Sequence, residues 1–508
     1  MQSKCLYDGA VILRYNFAMG REIRQIELPA LQFEVGFLSP LLGPLLAGTL
    51  RVDCTSISIK STKNQSPKEY IGPGYITQTD TKDFSITMLV AGTPSLQELS
   101  QPDDAPGTLN SNSFMLEATD EFGRRWSAGN IHSPAIKMTT DVEGYTVRAQ
   151  CYELTMSRRS GGMEGVSLEV WSRGELRLPY SASYGLLPVL EQPGGHAGRL
   201  NCTTVMANTF QSCGLDFAAF HCHGNSCVRA IGKQHLSPNL GPRVWESMLF
   251  ALANPLAWSA IRLLDNGVEK LQMRHPRARP TVEVDAPILS YLYPPSDDTW
   301  RIFDCYLRYV LNTQPESARP EQLHPLSSQV FSVHNSRDLS LEAQSLVLTV
   351  AVESVLKTYF DKAADPNDAH IIALSDLQSY IQSWPTENDP AKKRTLKRVT
   401  GTIGSFKKLG ASEILRDLAG ANVVSNTGRT AWKKLRNSAT HGDWSNLRRN
   451  YQEWVDLIGK VRTLFHQLMF NLIKYEGTYT DYGTRGYRLT QYPATSAKEP
   501  DPERDGTS

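Results

Sequence analysis

The spacing of apolar positions changes partway along the chain. Before about residue 300 they come in short runs that alternate with polar residues. After it they recur every third or fourth residue. In the first half, residues 10–18, 49–59, 84–90, 145–155 and 166–172 are rich in β-branched and aromatic side chains and read as strands. Pro67, Gly72-Pro73-Gly74, Pro102 to Gly107 and Gly161-Gly162 read as breaks between them. The run from Phe37 to Leu50 contains Pro40 and Pro44 and reads as a buried loop or short elements. Residues 243–253 predict a short helix ending near Asn254-Pro255. Trp258 to Met273 predicts a strand pair turning at Asp265-Asn266-Gly267. The expectation for this half is a mostly antiparallel β domain, a sandwich or irregular barrel, without internal repeats.

The second half predicts helices. Trp300, Phe303, Tyr306, Leu307, Val310 and Leu311 share a helical face, and prolines 315, 320 and 325 mark the connection that follows. Residues 339–360 are apolar nearly all round and predict a helix at the centre of a bundle. Residues 370–384 place Leu374, Leu377, Ile381 and Trp384 on one side of a further helix. Ser412 predicts the cap of a short helix that stops near Gly420. After a loop from Asn422 to Gly428 comes a helix anchored by Trp432 and Leu435. A long helix then runs from about Ser445 to Tyr475, with apolar positions from Leu447 through Trp454, Val461 and Phe465 to Leu472. The result is an all-α bundle of about five or six helices.

Length and composition refine this picture. At 508 residues the chain exceeds one ordinary core, so several domains are expected. The fold class is α+β multidomain. Residues 1–297 form a β-rich N-terminal domain that could divide into two subdomains, residues 298–476 a helical domain, and residues 477–508 a largely disordered tail. A net charge of +1 means that any nucleic-acid affinity must come from local patches. The densest basic run is Lys392, Lys393, Arg394, Lys397, Arg398, Lys407 and Lys408, which reads as a solvated helix face that could also hold an RNA backbone. No stretch reads as a membrane span or a signal peptide. Eight cysteines without a dense framework read as reduced thiols of a cytoplasmic protein.

Two constellations could carry chemistry. Cys213, His221, Cys222, His223 and Cys227 offer zinc-type ligands, but no Cys-x-x-Cys pair occurs among them, so a loop with reduced thiols is the preferred reading. The other is Leu435-Arg436-Asn437-Ser438-Ala439-Thr440-His441-Gly442-Asp443-Trp444. Arginine followed by histidine with four to six residues between them also occurs at Arg125/His132, Arg229/His235 and Arg319/His324, so the spacing alone carries little. Only Arg436 is followed by an amide, Asn437, and only this pair lies between helices of one bundle. On a helix, Asn437 and His441 share a face and Arg436 lies about 140° from His441. Gly442 lets the backbone turn away. Glu353, the central acid of residues 339–360, either faces a rim or a structural partner, the favoured reading, or meets Arg436 and orients it.

The segment LRNSATHGDW, in a helical domain with a long last helix, resembles the active motif of HEPN domains. An N-terminal β-rich region before such a domain is similar to the ApeA-like abortive-infection proteins of bacterial antiphage defence. The resemblance covers roughly residues 298–476 and rests on one motif and the helical layout. It implies a metal-independent endoribonuclease without cofactor or bound metal, with Arg436, Asn437 and His441 as catalytic residues. It also implies an RNA substrate, tRNA among the candidates, a homodimer with a composite site, a phage-derived trigger, and a sensing or autoinhibitory role for the N-terminal domain. The chemistry is coherent with these side chains. The RNA 2′-OH attacks the neighbouring phosphate, an imidazole transfers protons near neutral pH, and a guanidinium stabilises the phosphorane. One chain offers one such histidine where an acid and a base are both needed, and a dimer supplies two. The alternatives are an inactive HEPN-like RNA- or protein-binding module, or metal-dependent activity in the N-terminal domain.

Overall fold

The computed structural model describes residues 6–7, 10–11, 41–62, 68–79, 83–94, 114–131, 134–138, 144–159, 166–174, 176, 178–179, 184–189, 201–222, 224–232, 235–237, 239–253, 257–274, 287–289, 297–313, 322–360, 369–384, 389–406, 410–442 and 444–493. The chain is α+β, with a large antiparallel sheet in its N-terminal half and helices in its C-terminal half. It divides into two compact units. One comprises Met1–Trp245 and Leu256–Val282, the other Glu246–Pro255 and Glu283–Ser508, so the division falls earlier than residue 297.

The β unit is built on one sheet of 15 strands, antiparallel at every pairing. Arg51–Ser61, Glu69–Gln78, Phe84–Val90, Phe114–Asp120 and Arg125–Ile131 alternate buried and open positions, as a half-buried strand must. Tyr145–Cys151 comes back against Arg125–Ile131, so the sheet curls around a core that includes Ile57, Phe84, Trp126, Val147 and Trp171. The short helix α1 (Leu42–Ala47) buries Leu42, Leu45 and Leu46. Helix α2 (Leu240–Leu252) lies in the connection from Asn225–Gly232 to Trp258–Asp265, and its residues up to Trp245 belong to this unit. A methyl group on its Gly241 would stand 2.5 Å from Ile261 Cγ2, so only glycine lets this helix lie so close to the sheet.

Several expected strands are present, and their limits differ in instructive ways. Residues 145–155 are two strands, Tyr145–Cys151 and Glu153–Arg159, separated at Tyr152. Gly72-Pro73-Gly74 is not a break. It lies inside Glu69–Gln78, where a Cβ on Gly72 would sit 1.9 Å from Leu89 O and one on Gly74 2.2 Å from Thr87 O. These glycines mark a close approach of neighbouring strands, opposite a register shift between Cys54 and Ile57. The turn at Asn266-Gly267 joins Trp258–Asp265 to Val268–Arg274, with φ of +48° and +72° at its two residues. Of the strand expected at 10–18, residues 12–18 lie outside the described residues.

In the helical unit follow α3 (Asp298–Asn312), α4 (Pro325–Asn335), α5 (Leu341–Tyr359), α6 (Ala369–Gln382), α7 (Pro390–Phe406) and α8 (Ala411–Gly420). The last three are α9 (Asn426–His441), α10 (Ser445–Arg448) and α11 (Tyr451–Ile473). This exceeds the five or six helices expected. The expected last helix is two, because Asn450 breaks the run and caps α11 by accepting a hydrogen bond from Glu453 N at 3.2 Å. Ser412 is not a cap. Glu413 reaches back to accept from Gly410 N at 2.7 Å, which starts α8 two residues earlier. The element shared by the others is α11, on which α3, α5, α9 and α10 pack. Helix α5 is therefore not an all-round core helix, and it leaves Leu346 and Val350 about half exposed.

Residues 477–492 correct the expected tail. Gly477–Asp481 and Arg488–Tyr492 form a hairpin. Gln467 Nε2 donates to Tyr479 OH at 2.9 Å and Thr463 Oγ1 to Asp481 Oδ1 at 3.0 Å. A Cβ on Gly459 would come within 2.3 Å of Tyr482 O, so the glycine lets the hairpin sit directly on α11. Tyr475, Tyr479 and Tyr492 are buried in this contact, and their aromatic surface ties the segment down. Residues 494–508 lie outside the described residues.

Candidate functional site

Helix α9 carries all three sequence-expected site residues, and its own residues explain why it forms. Ser425 Oγ caps it by accepting from Gly428 N at 3.1 Å. Gly428 has a virtual Cβ 3.1 Å from Leu464 Cβ, so α9 can cross α11 closely there. Trp432 and Leu435 are fully buried, and Trp432 Nε1 donates to the Thr349 carbonyl of α5 at 3.2 Å. The helix ends at Gly442, whose φ of +63° is the left-handed conformation expected there.

These anchors point the last turns of α9 outward. Arg436 leaves the helix toward α5, where its Nε donates to Glu353 Oε2 at 3.0 Å. Of the two readings of Glu353, the structure realises the contact with Arg436. Lys357, one turn along α5, holds the other oxygen at 2.6 Å. The Arg436 guanidinium also lies 5.5 Å from the centre of the Trp432 ring, so its plane has a packed support. Burial alone would raise the Glu353 carboxyl. Hydrogen bonds and charge from Arg436 and Lys357 outweigh it and hold the carboxyl below its ordinary range. With 39% of the Arg436 side chain exposed, the pair fixes the arginine without using all five of its donors.

Asn437 and His441 are both exposed and lie one turn apart on α9, which puts them on one face beside Arg436. Neither forms a hydrogen bond or ion pair within the described residues, so both present polar atoms to solvent. Thr440 Oγ1 donates back to the Arg436 carbonyl at 2.8 Å. Past Gly442, Trp444 stacks on Trp454 at 5.3 Å between ring centres, and Tyr451 lies over the same ring at 6.4 Å. Arg448 Nη2 holds Glu342 of α5 at 3.1 Å, and Lys434 pairs with Glu453. Sequence reading missed Lys357 and this aromatic stack. The Glu353/Lys357 spacing on one helix was a signal for the first. The stack depends on the break at Asn450, which periodicity does not show.

The other spacing matches are structurally occupied or lie outside the described residues. His324 is buried and caps α4 by accepting from Leu326 N at 3.2 Å. His235 pairs with Asp265, and Arg229 sits inside a strand beside Glu169. Arg319 and His132 lie outside the described residues. The Cys/His group is spread out. Cys213 occupies the turn at one end of the strand Leu215–Cys222, while His221 and Cys222 occupy the other. His221 Nδ1 meets Ser226 Oγ at 3.0 Å, and burial pushes the Cys222 and Cys227 thiols up. His223 lies outside the described residues, and among those described no three His, Cys, Asp or Glu side chains are grouped to hold a metal.

Cavities of about 360 and 650 Å³ flank Lys460 and Gly483 where α11 meets the hairpin, and neither is lined by Arg436, Asn437 or His441. With Asn437 and His441 exposed and 39% of the Arg436 side chain in solvent, the candidate site is an open surface, suited to a large polymer or a second protein surface more than to an enclosed small ligand. Among the described residues no helix is long and apolar enough to cross a membrane. No protein-family model matches the chain, and neither the curated proteins nor the solved structures contain a significant match to it.

Proposed function

We propose that the helical unit is a HEPN-type endoribonuclease and that Arg436, Asn437 and His441 form its site. The observation that carries this reading is the Arg436–Glu353 pair. It holds a half-exposed guanidinium five residues from an exposed imidazole, with an amide between them on the same helix. In this reading the RNA 2′-OH attacks the adjacent phosphorus, the 5′-oxygen leaves, and a 2′,3′-cyclic phosphate forms. His441 moves the proton at one of these oxygens. Arg436 donates to the phosphorane oxygens through the guanidinium nitrogens that Glu353 does not engage, and Asn437 holds the phosphate. Because acid and base are both needed, the active form is a homodimer in which a second His441 serves the opposite oxygen. The exposed Leu346 and Val350 of α5, on the helix that carries Glu353, support a second copy at this face. The β unit would restrain the enzyme until a phage-derived trigger releases it, in an abortive-infection role.

The test is incubation of the full-length protein with total RNA or tRNA in EDTA, with sequencing of the RNA ends. His441→Ala and Arg436→Ala are expected to lower cleavage by about a hundredfold or more. Cleavage by His441→Ala at the wild-type rate would overturn the mechanism. RNA bound but not cut by the wild type would leave a binding module.

A further inference from the structure

Helices α6 and α7 stand apart in character from the rest of the bundle. They pack chiefly on each other, and both turn side chains of an unusual kind to solvent. On α6, Leu377 and Tyr380 are 46% and 78% exposed, and Trp384, in the bend beyond its end, is 62% exposed. Steps of three and four residues put these groups in one stripe, with the two aromatic rings about 6 Å apart along the axis. On α7, Lys392, Lys393, Arg394, Lys397 and Arg398 are all exposed. That helix contains no acid from Pro390 to Phe406, and none of the five cations makes an ion pair among the described residues.

An amphipathic surface helix ordinarily turns its aromatic residues inward and balances its charges. This helix pair does neither. We infer that α6 and α7 form an arm that grips single-stranded RNA, with the cations of α7 tracking phosphates and Tyr380 and Trp384 stacking unpaired bases. The charge decides the occupant. A second copy of the chain would bring five cations against five, which is repulsive, whereas each RNA phosphate supplies the missing opposite charge. The exposed rings decide the form of RNA, because a base reaches an aromatic face only when it is unpaired. This inference rests on the reading of the α9 site as RNA-cutting, and it assigns that site a separate element for holding substrate.

The test is fluorescence anisotropy with a short labelled unstructured RNA and full-length His441→Ala protein, so that binding is read without cutting. Replacing Lys393, Arg394, Lys397 and Arg398 with alanine is expected to weaken binding by more than about tenfold. It should also reduce the slope of log affinity against log salt by about 3, from four phosphate contacts at about 0.7 each. Tyr380→Ala with Trp384→Ala is expected to weaken binding by about tenfold and leave that slope unchanged. All positions are exposed, so unchanged circular dichroism and melting verify that the variants fold. Binding within twofold of the parent in both variants overturns the arm, as does binding to phosphatidylserine vesicles in place of RNA. Cleavage by the wild-type protein, measured in parallel, separates the two proposals. An arm that binds while the wild type does not cut retains this inference and removes the nuclease reading. Cutting with no contribution from the arm does the reverse.

Discussion

Each unit sets arginine against glutamate, and the settings are opposite. In the β unit Arg262 lies between Glu169 and Glu269, with all three side chains 3% exposed or less. Its Nε donates to Glu269 at 2.8 Å, its Nη1 lies 3.5 Å from Glu169, Arg229 adds a contact to Glu169 at 3.7 Å, and Arg158 closes the row on Glu269. The row crosses five neighbouring strands, and Glu169 and Glu269 are each shared between two arginines. In the helical unit Arg436 has one carboxylate, shared with Lys357, and keeps more than a third of its side chain in solvent. The β-unit arginines are committed to partners on neighbouring strands. Arg436 is oriented and still available. A fully paired buried charge specifies register, whereas a half-exposed one can bind.

The largest effect expected from breaking this contrast is at the buried row. Arg262→Met leaves two buried carboxylates short of their partner and is expected to cost about 3–5 kcal/mol, read as a lower denaturation midpoint. Replacing Glu169, Arg229, Arg262 and Glu269 together with apolar residues of similar size, which leaves no buried charge of the row behind, should cost less than the single change. If the single change proves the milder of the two, the row is not an interdependent network.

At the other pair the expectation reverses. Glu353→Gln should change stability by about 1 kcal/mol or less, because solvent screens the pair. On the proposed nuclease reading, the same variant should lower kcat for RNA cleavage by about tenfold to a hundredfold through misplacement of Arg436. Unchanged kcat would reduce Glu353 to a structural partner.

The smallest effect is the pH response. Arg436 and Lys357 hold the Glu353 carboxyl below its ordinary range despite the opposing effect of burial. The unfolded chain therefore takes up this proton first as pH falls. The contribution of Glu353 to stability is complete above the unfolded value and is lost as pH falls through the folded one. Melting of wild type and Glu353→Gln, compared from about pH 6 to about pH 3, should converge at the acid end. Raising salt to about 1 M should narrow the same difference, while the effect of Arg262→Met should persist. A difference that grows on acidification would mean that the pair does not hold Glu353 ionised.

Much of this was legible from local rules. Phe84–Val90, the Asn266-Gly267 hairpin, the helix beginning at Asp298 and the left-handed Gly442 all follow from alternation, turn chemistry or capping. The misses share a cause, which is that a residue's role was set by something distant in sequence. Gly72 and Gly74 read as a break until Leu89 and Thr87 lie against them. The hairpin after α11 read as a polar tail until Gly459 gave it a seat. Leu377 and Trp384 read as one side of a helix, and they face solvent where, among the described residues, α7 is the helix that packs on α6.

The α9 site divides in the same way. By itself the chain determined that Arg436, Asn437 and His441 end one helix, because the Ser425 cap, the Trp432 and Leu435 anchors and the Gly442 terminus act within a few residues of one another. Only the tertiary structure decided that Asn437 and His441 stay open to solvent, and that Glu353, 83 residues away, holds Arg436. Periodicity reports which face of a helix is apolar. Which charge waits opposite that face depends on how helices pack, and that is written in contacts between segments far apart along the chain.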